Sequence, residues 1–209
     1  MRRLPLAAGG VLLLAAWALA AARLGMLGHM GAHMLSVAVA APLLAWGIAG
    51  SRLDPARRWP GVVTPMTMSL VELLLVWGWH LPAARAFAAE TLAGGVLEQL
   101  AFVAAGLLLW SAALGTRGAA ALPRRAAGVV ALLLTSMHMT LLGALVGLAP
   151  RVLYGTEGFI CGDVRLTPLA DQQLGGVVML LVGAGSYLVG GLALLGDVLR
   201  QRSTEARPA

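Results

Sequence analysis

The chain has 209 residues, of which 59% are hydrophobic and 11% charged, with a formal net charge of +6 and a mean hydropathy of +0.85. Such values lie outside the range of soluble globular domains and identify an integral membrane protein with no soluble domain of useful size. All fifteen basic residues are arginines dispersed along the chain, which excludes a basic patch for nucleic acid, and the single cysteine, Cys161, excludes an intramolecular disulfide or a CxxC site and reads as an incidental thiol.

Apolar runs of about twenty residues, long enough to cross a bilayer, occur at 4–22, 27–50, 61–81, 92–114, 126–149 and 172–199. The expected fold is therefore an all-α polytopic bundle of six spans forming one membrane domain, with a short polar tail at 200–209. The first run follows Arg2 and Arg3 and ends in small residues, as a signal peptide does; its length favours an uncleaved helix. Pro42, Pro65 and the Gly183, Gly185, Gly190 and Gly191 series sit inside spans, where membrane helices use them for close packing. Arginines in the connections alternate between rich and poor. Arg2 and Arg3 are followed by Arg23, then Arg52, Arg57 and Arg58, then Arg85, then Arg117, Arg124 and Arg125, then Arg151 and Arg165, then Arg200, Arg202 and Arg207. By the positive-inside rule both termini are cytoplasmic and three connections face outward.

The second span opens with "GHMGAHML", which carries His29 and His33, two of the four histidines, with Met30 and Met34. Residues four apart share a helix face, so the two imidazoles can address one ion, with the methionines as a neighbouring stripe about 100° around. Imidazole with thioether suits copper, Cu(I) above all. Interfacial histidines also bond headgroups or backbone, and methionines also pack bundles; both readings stand at this point. The third span closes with "WGWHLP", which brings His80 to the same membrane level, and it holds Glu72 about 12 Å deeper. An ionisable group at that depth needs a partner or a water-filled cavity. Glu98 and Gln99 lie two turns into the fourth span.

In the fifth span, "SMHMTLLGAL" places His138 near mid-membrane, about 16 Å from the outer end. It reads as a second ligand, a proton relay or a satisfied core histidine, flanked by Met137 and Met139, and a contact between Glu72 and His138 is expected. The sixth span opens with "DQQLGG", where Asp171 reads as the helix cap and Gln172 and Gln173 have no such explanation; Met179 follows two turns later.

Taken together, "HMGAHML", "WGWHLPAARAFA", "LEQLAFVAAGLLLW", "MTLLGALVGLAPRVLY" and "LTPLADQQLGGVVM" resemble the CtaG-like assembly factors of caa3-type cytochrome c oxidase. The likeness runs in matching order from about Leu27 to Leu199, and "PLADQQLGGVVM" is its most specific part. It implies a multi-pass protein of the bacterial plasma (inner) membrane that acts in oxidase assembly at the level of the copper centres, with cytochrome c oxidase subunits as partners. Carried over position by position, it implies roles for His29, Met30, His33, Met34, His80, Asp171, Gln172, Gln173, Gly175, Gly176 and Met179. Two departures stand out: the family's fourth helix usually reads Glu-His where this chain has Glu98-Gln99, and family members often have seven spans. An amide is a poor copper ligand, so three histidines plus methionine or water are implied.

The expected function is metal delivery: Cu(I) from a periplasmic or outer-surface donor, held by His29, His33 and His80 with Met30 or Met34, and passed to the oxidase. No enzyme signature is present, neither nucleophile elbow, phosphate-binding glycine loop nor HExxH. Two other functions fit the residues: a transporter or proton conductor using Glu72 and His138, and a metal-free structural partner of the oxidase. Haem ligation is disfavoured because His29 and His33 share one helix face and cannot clamp a macrocycle.

Overall fold

The computed structural model describes residues 2–115, 121–155 and 158–205; Arg117, Arg207 and the end of the tail lie outside the described residues. Helix α1 spans Arg3–Ala21, α2 Gly25–Ile48, α3 Pro55–Arg58, α4 Pro65–Trp79, α5 Pro82–Glu90, α6 Leu92–Leu114 and α7 Ala121–Gly147. Strands β1, Ile160–Cys161, and β2, Val164–Arg165, form a small antiparallel hairpin that carries exposed Cys161. The last helix, α8, starts at Pro168 and continues through Gly185–Glu205. Among the described residues five helices are long and apolar enough to span a membrane, and α4 is a shorter apolar helix. The all-α bundle is thus present.

Boundaries differ from the sequence reading where capping residues decide them. Thr64 Oγ1 accepts from Thr67 N and Pro65 occupies the first turn, so α4 begins at 65 and not 61. Thr167 caps α8 in the same way, which starts it at 168 and leaves Asp171 inside the first turn rather than at the cap. The connection at 82–90 is itself a helix, α5, seated on the start of α6, where Gly94 and Gly95 let the Phe87 and Ala88 backbone approach too closely for any Cβ at Gly94.

Small residues set the crossings elsewhere. Gly143 and Gly147 on α7 meet Gly176 on α8, where a Cβ on Gly176 would lie 2.6 Å from Gly147 Cα, the close approach that small-xxx-small spacing permits in membranes. The helix α1 lies along α2 through Gly9 against Leu44 and Gly47 against Leu6, and only 17% of its apolar window is buried. Leu4, Leu14, Met137, Leu181 and Val189 point outward, the apolar exterior expected where lipid replaces water.

Two π-helical stretches interrupt long helices, Leu35–Ala40 in α2 and Met179–Ala184 in α8. A π turn removes carbonyls from the regular ladder, and here side chains from other helices take them. Val37 O accepts from Trp110 Nε1 at 3.1 Å, Ala38 O from Ser186 Oγ at 2.6 Å, and Ala184 O from Ser136 Oγ at 2.8 Å.

Candidate metal centre

Two left-handed residues mark the start of α2, Arg23 just before it at φ 50° and Gly25 at its first position at φ 62°. Its first free amides are met from another helix: Asp171 on α8 accepts from Met26 N at 2.6 Å and Leu27 N at 2.8 Å. The approach leaves no space for a Cβ at Gly25. A carboxylate at a helix N-terminus satisfies orphan donors and complements the dipole, so Asp171 is a cap after all, of α2 and not of its own helix. This fixes the turn that carries His29 and His33.

From α2 the two imidazoles meet His80, the residue that ends α4. Ring centroids lie 6.1 Å apart for His29 and His33, 5.4 Å for His29 and His80, and 5.4 Å for His33 and His80. One nitrogen from each ring falls within 4.8 Å of the others, the one such group of three among the described residues. Phe102 of α6 floors the cluster, stacked on His33 at 3.8 Å and 10°. All three histidines are buried. His80 Nδ1 lies 2.6 Å from Val76 O; a carbonyl only accepts, so the ring proton is on Nδ1 and Nε2 keeps its lone pair. That Nε2, His29 Nε2 and both nitrogens of His33 have no protein partner.

Beside the histidines stands an ion pair. Arg85 on α5 donates through Nη1 to both oxygens of Glu98 on α6 and, at 3.0 Å, to His29 Nδ1. Glu98 Oε2 is 3.5 Å from the same Nδ1. A cavity of about 710 Å³ reaches His29, Arg85, Glu98, Gln99 and Tyr154; His33 and His80 lie behind its wall. Tyr154 donates to His80 O at 2.8 Å. Burial pushes its phenol up, against an opposing effect of Arg85, so it stays a donor.

The residues fit a metal ion. Nitrogens bound to one ion at about 2.0–2.1 Å are roughly 3.5 Å apart, which small side-chain rotations reach from the observed spacing. Unpartnered buried nitrogens are otherwise costly, and a carboxylate at the far nitrogen of a ligating histidine is the usual support of such a ligand.

The comparison with protein families decides the wider setting. A family model described as cytochrome c oxidase caa3 assembly factor matches residues 2–201. The chain belongs to this family. No curated protein and no solved structure matches it. Membership gives the protein a role in cytochrome c oxidase assembly, and its apolar helices make it a multi-pass membrane protein.

Within this assembly factor the other sequence-derived positions divide. Met30 and Met34 are buried on a different side of α2, against Gly175 and Gly183 of α8, with Met34 Sδ filling the space a Cβ at Gly183 would take. Met179 is core at the start of the π stretch. Gln172 is structural: Oε1 accepts from Leu153 N at 2.7 Å, and Nε2 donates to Val146 O and Arg151 O at 3.3 Å. Gln173 is half-buried and outside the histidine group. Gln99 is buried on the cavity wall with Oε1 unpartnered.

Glu72 does not meet His138 as expected; its Oε1 accepts from Tyr187 OH, and no ion pair joins it to His138 among the described residues. Helical spacing gives depth but not which neighbour a face meets: α4 packs directly on α7 where Ser69 meets Thr135, while Glu72 turns to Tyr187 of α8. His138 is buried with both nitrogens unpartnered, Met139 is buried, and Met137 is 67% exposed, facing away from any buried path. Sequence reasoning missed Arg85, counted only as a topological charge, and Phe102 and Tyr187, which sit in apolar runs without a local signal. The Pro82 that follows "WGWHL" is the one cue that α5 starts there.

Proposed function

We propose that this assembly factor binds one Cu(I) as cargo at His29, His33 and His80 and hands it to cytochrome c oxidase in the bacterial plasma membrane. In this reading α4 is counted as a sixth span and the arginine-rich connections lie inside, so that both termini are cytoplasmic and the histidines and the cavity face the outer surface, where a periplasmic or outer-surface copper donor docks. The observation that carries this reading is the gathering of three buried imidazoles, with four unpartnered nitrogens, behind a cavity. Imidazoles alone suit several late transition metals; the family's role in oxidase assembly supports copper among them.

In this mechanism His33, stacked on Phe102, and His80, oriented by Val76 O and Tyr154, form a preset pair. His29 completes the set from the cavity side. Few ligands in a buried site hold Cu(I) while leaving a coordination position through which an acceptor's ligand can take over. Met30 and Met34 pack α2 on α8 and so secure the histidine helix rather than the ion.

The test is copper stoichiometry of detergent-purified protein loaded anaerobically with Cu(I), wild type against His29→Ala/His33→Ala. About one copper per chain, lost in the double variant, is the expected result. Equal, negligible copper in both would return the protein to a metal-free role in oxidase assembly.

A further inference from the structure

Arg85 occupies the place of a cation. Its guanidinium bonds Glu98 and His29 at once, and both of those side chains are buried. A lone carboxylate there would be an uncompensated charge in a low-dielectric site. Arg85, Glu98 and His29 all line the cavity, whereas His33 and His80 do not. The ion pair and His29 thus meet the cavity directly, and the other two histidines do not.

We propose that Arg85 is a displaceable counter-cation, exchanged one for one at Glu98 by an incoming monovalent metal ion, and that until the exchange it keeps His29 in the form that cannot ligate. The inference rests on the copper reading above and adds how the site opens and which charge it selects.

A guanidinium has only donors, so its hydrogen bond to His29 Nδ1 requires a lone pair there and puts the ring proton on Nε2. Protonated Nε2 binds no metal. When the guanidinium withdraws, Glu98 Oε2, 3.5 Å from Nδ1, stays ionised and accepts a hydrogen bond from a protonated Nδ1 instead, and Nε2 gains the lone pair. The proton moves between nitrogens of one ring, so none is gained or lost. The carboxylate is balanced by Arg85 before the exchange and by the ion after it. A divalent ion would leave one uncompensated positive charge among buried groups, so the exchange favours Cu(I) or Ag(I) over Zn(II).

The geometry leaves room for the movement. The backbone of α5 is held by Gly94 and Gly95 of α6 and by Arg23 Nη1 donating to Ala89 O at 2.8 Å. The Arg85 side chain is a long flexible stem beside a cavity of about 710 Å³.

The experiment compares full-length wild type, Arg85→Met and Glu98→Gln in detergent, using chelator competition for Cu(I) and Ag(I), direct titration of Zn(II), and ¹⁵N NMR of histidine-labelled protein without metal. Arg85→Met is expected to bind Cu(I) about tenfold tighter or more, having no counter-charge to displace, and Glu98→Gln about tenfold weaker. Without metal, His29 is expected as Nε2–H in wild type and Nδ1–H in Arg85→Met. Should Arg85→Met not purify folded, Arg85→Lys, which keeps the charge but not the fork of donors, is expected to shift affinity in the same direction. An Arg85 variant with unchanged or weaker Cu(I) binding, an unchanged His29 tautomer, or Zn(II) bound as tightly as Cu(I) overturns the exchange while leaving the three-histidine site standing. Absence of copper from every form overturns the copper reading, and the exchange with it.

Discussion

At the cavity end of the bundle, four ring nitrogens of His29, His33 and His80 lack partners, and one nitrogen from each ring lies within 4.8 Å of the others. Deeper in the bundle, polar side chains close on one another. Ser69 Oγ meets Thr135 Oγ1 at 3.0 Å and Ala131 O at 3.2 Å, Tyr187 donates to Glu72, and Trp110 fills the freed Val37 carbonyl and stacks on Tyr187 at 5.3 Å. Unpartnered atoms remain there too, among them Ser36 Oγ, Ser111 Oγ, Glu72 Oε2 and both His138 nitrogens, but they belong to no group of three ligands among the described residues. Convergence beside a cavity, more than burial or the mere presence of a histidine, separates a site from a packing solution.

The contrast is broken most directly by removing histidines from each region. His80→Ala is expected to abolish copper binding, whereas His138→Ala is expected to retain about one copper per chain, because a lone imidazole supplies too few ligands. Copper retained in His80→Ala and lost in His138→Ala would invert the assignment. Next in size is Asp171→Ala, which removes a charged acceptor from two amides at the start of α2. Charge-assisted bonds of this kind contribute about 1.5–3 kcal/mol, so thermal stability in detergent should fall clearly and copper affinity with it, since His29 and His33 ride on that turn. An unchanged melting temperature would mean that water replaces the carboxylate.

Deeper down, Tyr187→Phe leaves both Glu72 oxygens without a protein donor. The expected cost is about 1–3 kcal/mol of stability, with copper stoichiometry at the cavity end unaltered. Loss of copper in this variant would show the two regions to be coupled.

Much of the cavity end was legible because helix geometry fixes it. An HxxxH pair must share a face, and the level of His80 follows from span length and arginine placement. What could not be read is lateral: which helix each face meets. Met30 and Met34, placed correctly beside the histidines, turn out to face α8. Glu72 finds Tyr187 instead of His138, because depth matched but azimuth did not. Asp171 carries the features of a cap, yet the Met26 amide it bonds lies 145 residues earlier in the chain. Arg85 and Phe102 were invisible for opposite reasons, one hidden among charges that set topology and the other among apolar residues that fill spans.

The smallest expected effect concerns a loop that lines the cavity end. Tyr154 lies in the loop after α7, whose Leu153 amide is held by Gln172, and its hydroxyl donates to His80 O at 2.8 Å. The carbonyl of His80 follows the last turn of α4 and the amide ladder beneath it, where His80 N approaches Val76 O at 3.2 Å and Trp77 O at 3.1 Å. Tyr154 thus steadies the backbone from which the third imidazole projects, while Val76 O steadies the ring itself. Tyr154→Phe keeps the ring and removes only the donor, so stability should fall by about 0.5–1.5 kcal/mol. Copper should still bind at the same stoichiometry, with dissociation a few-fold faster because one of three ligands is held less firmly. A dissociation rate identical to wild type would place the orientation of His80 wholly with Val76, and would leave the Gln172 loop as packing for α7 and α8 rather than a support of the site.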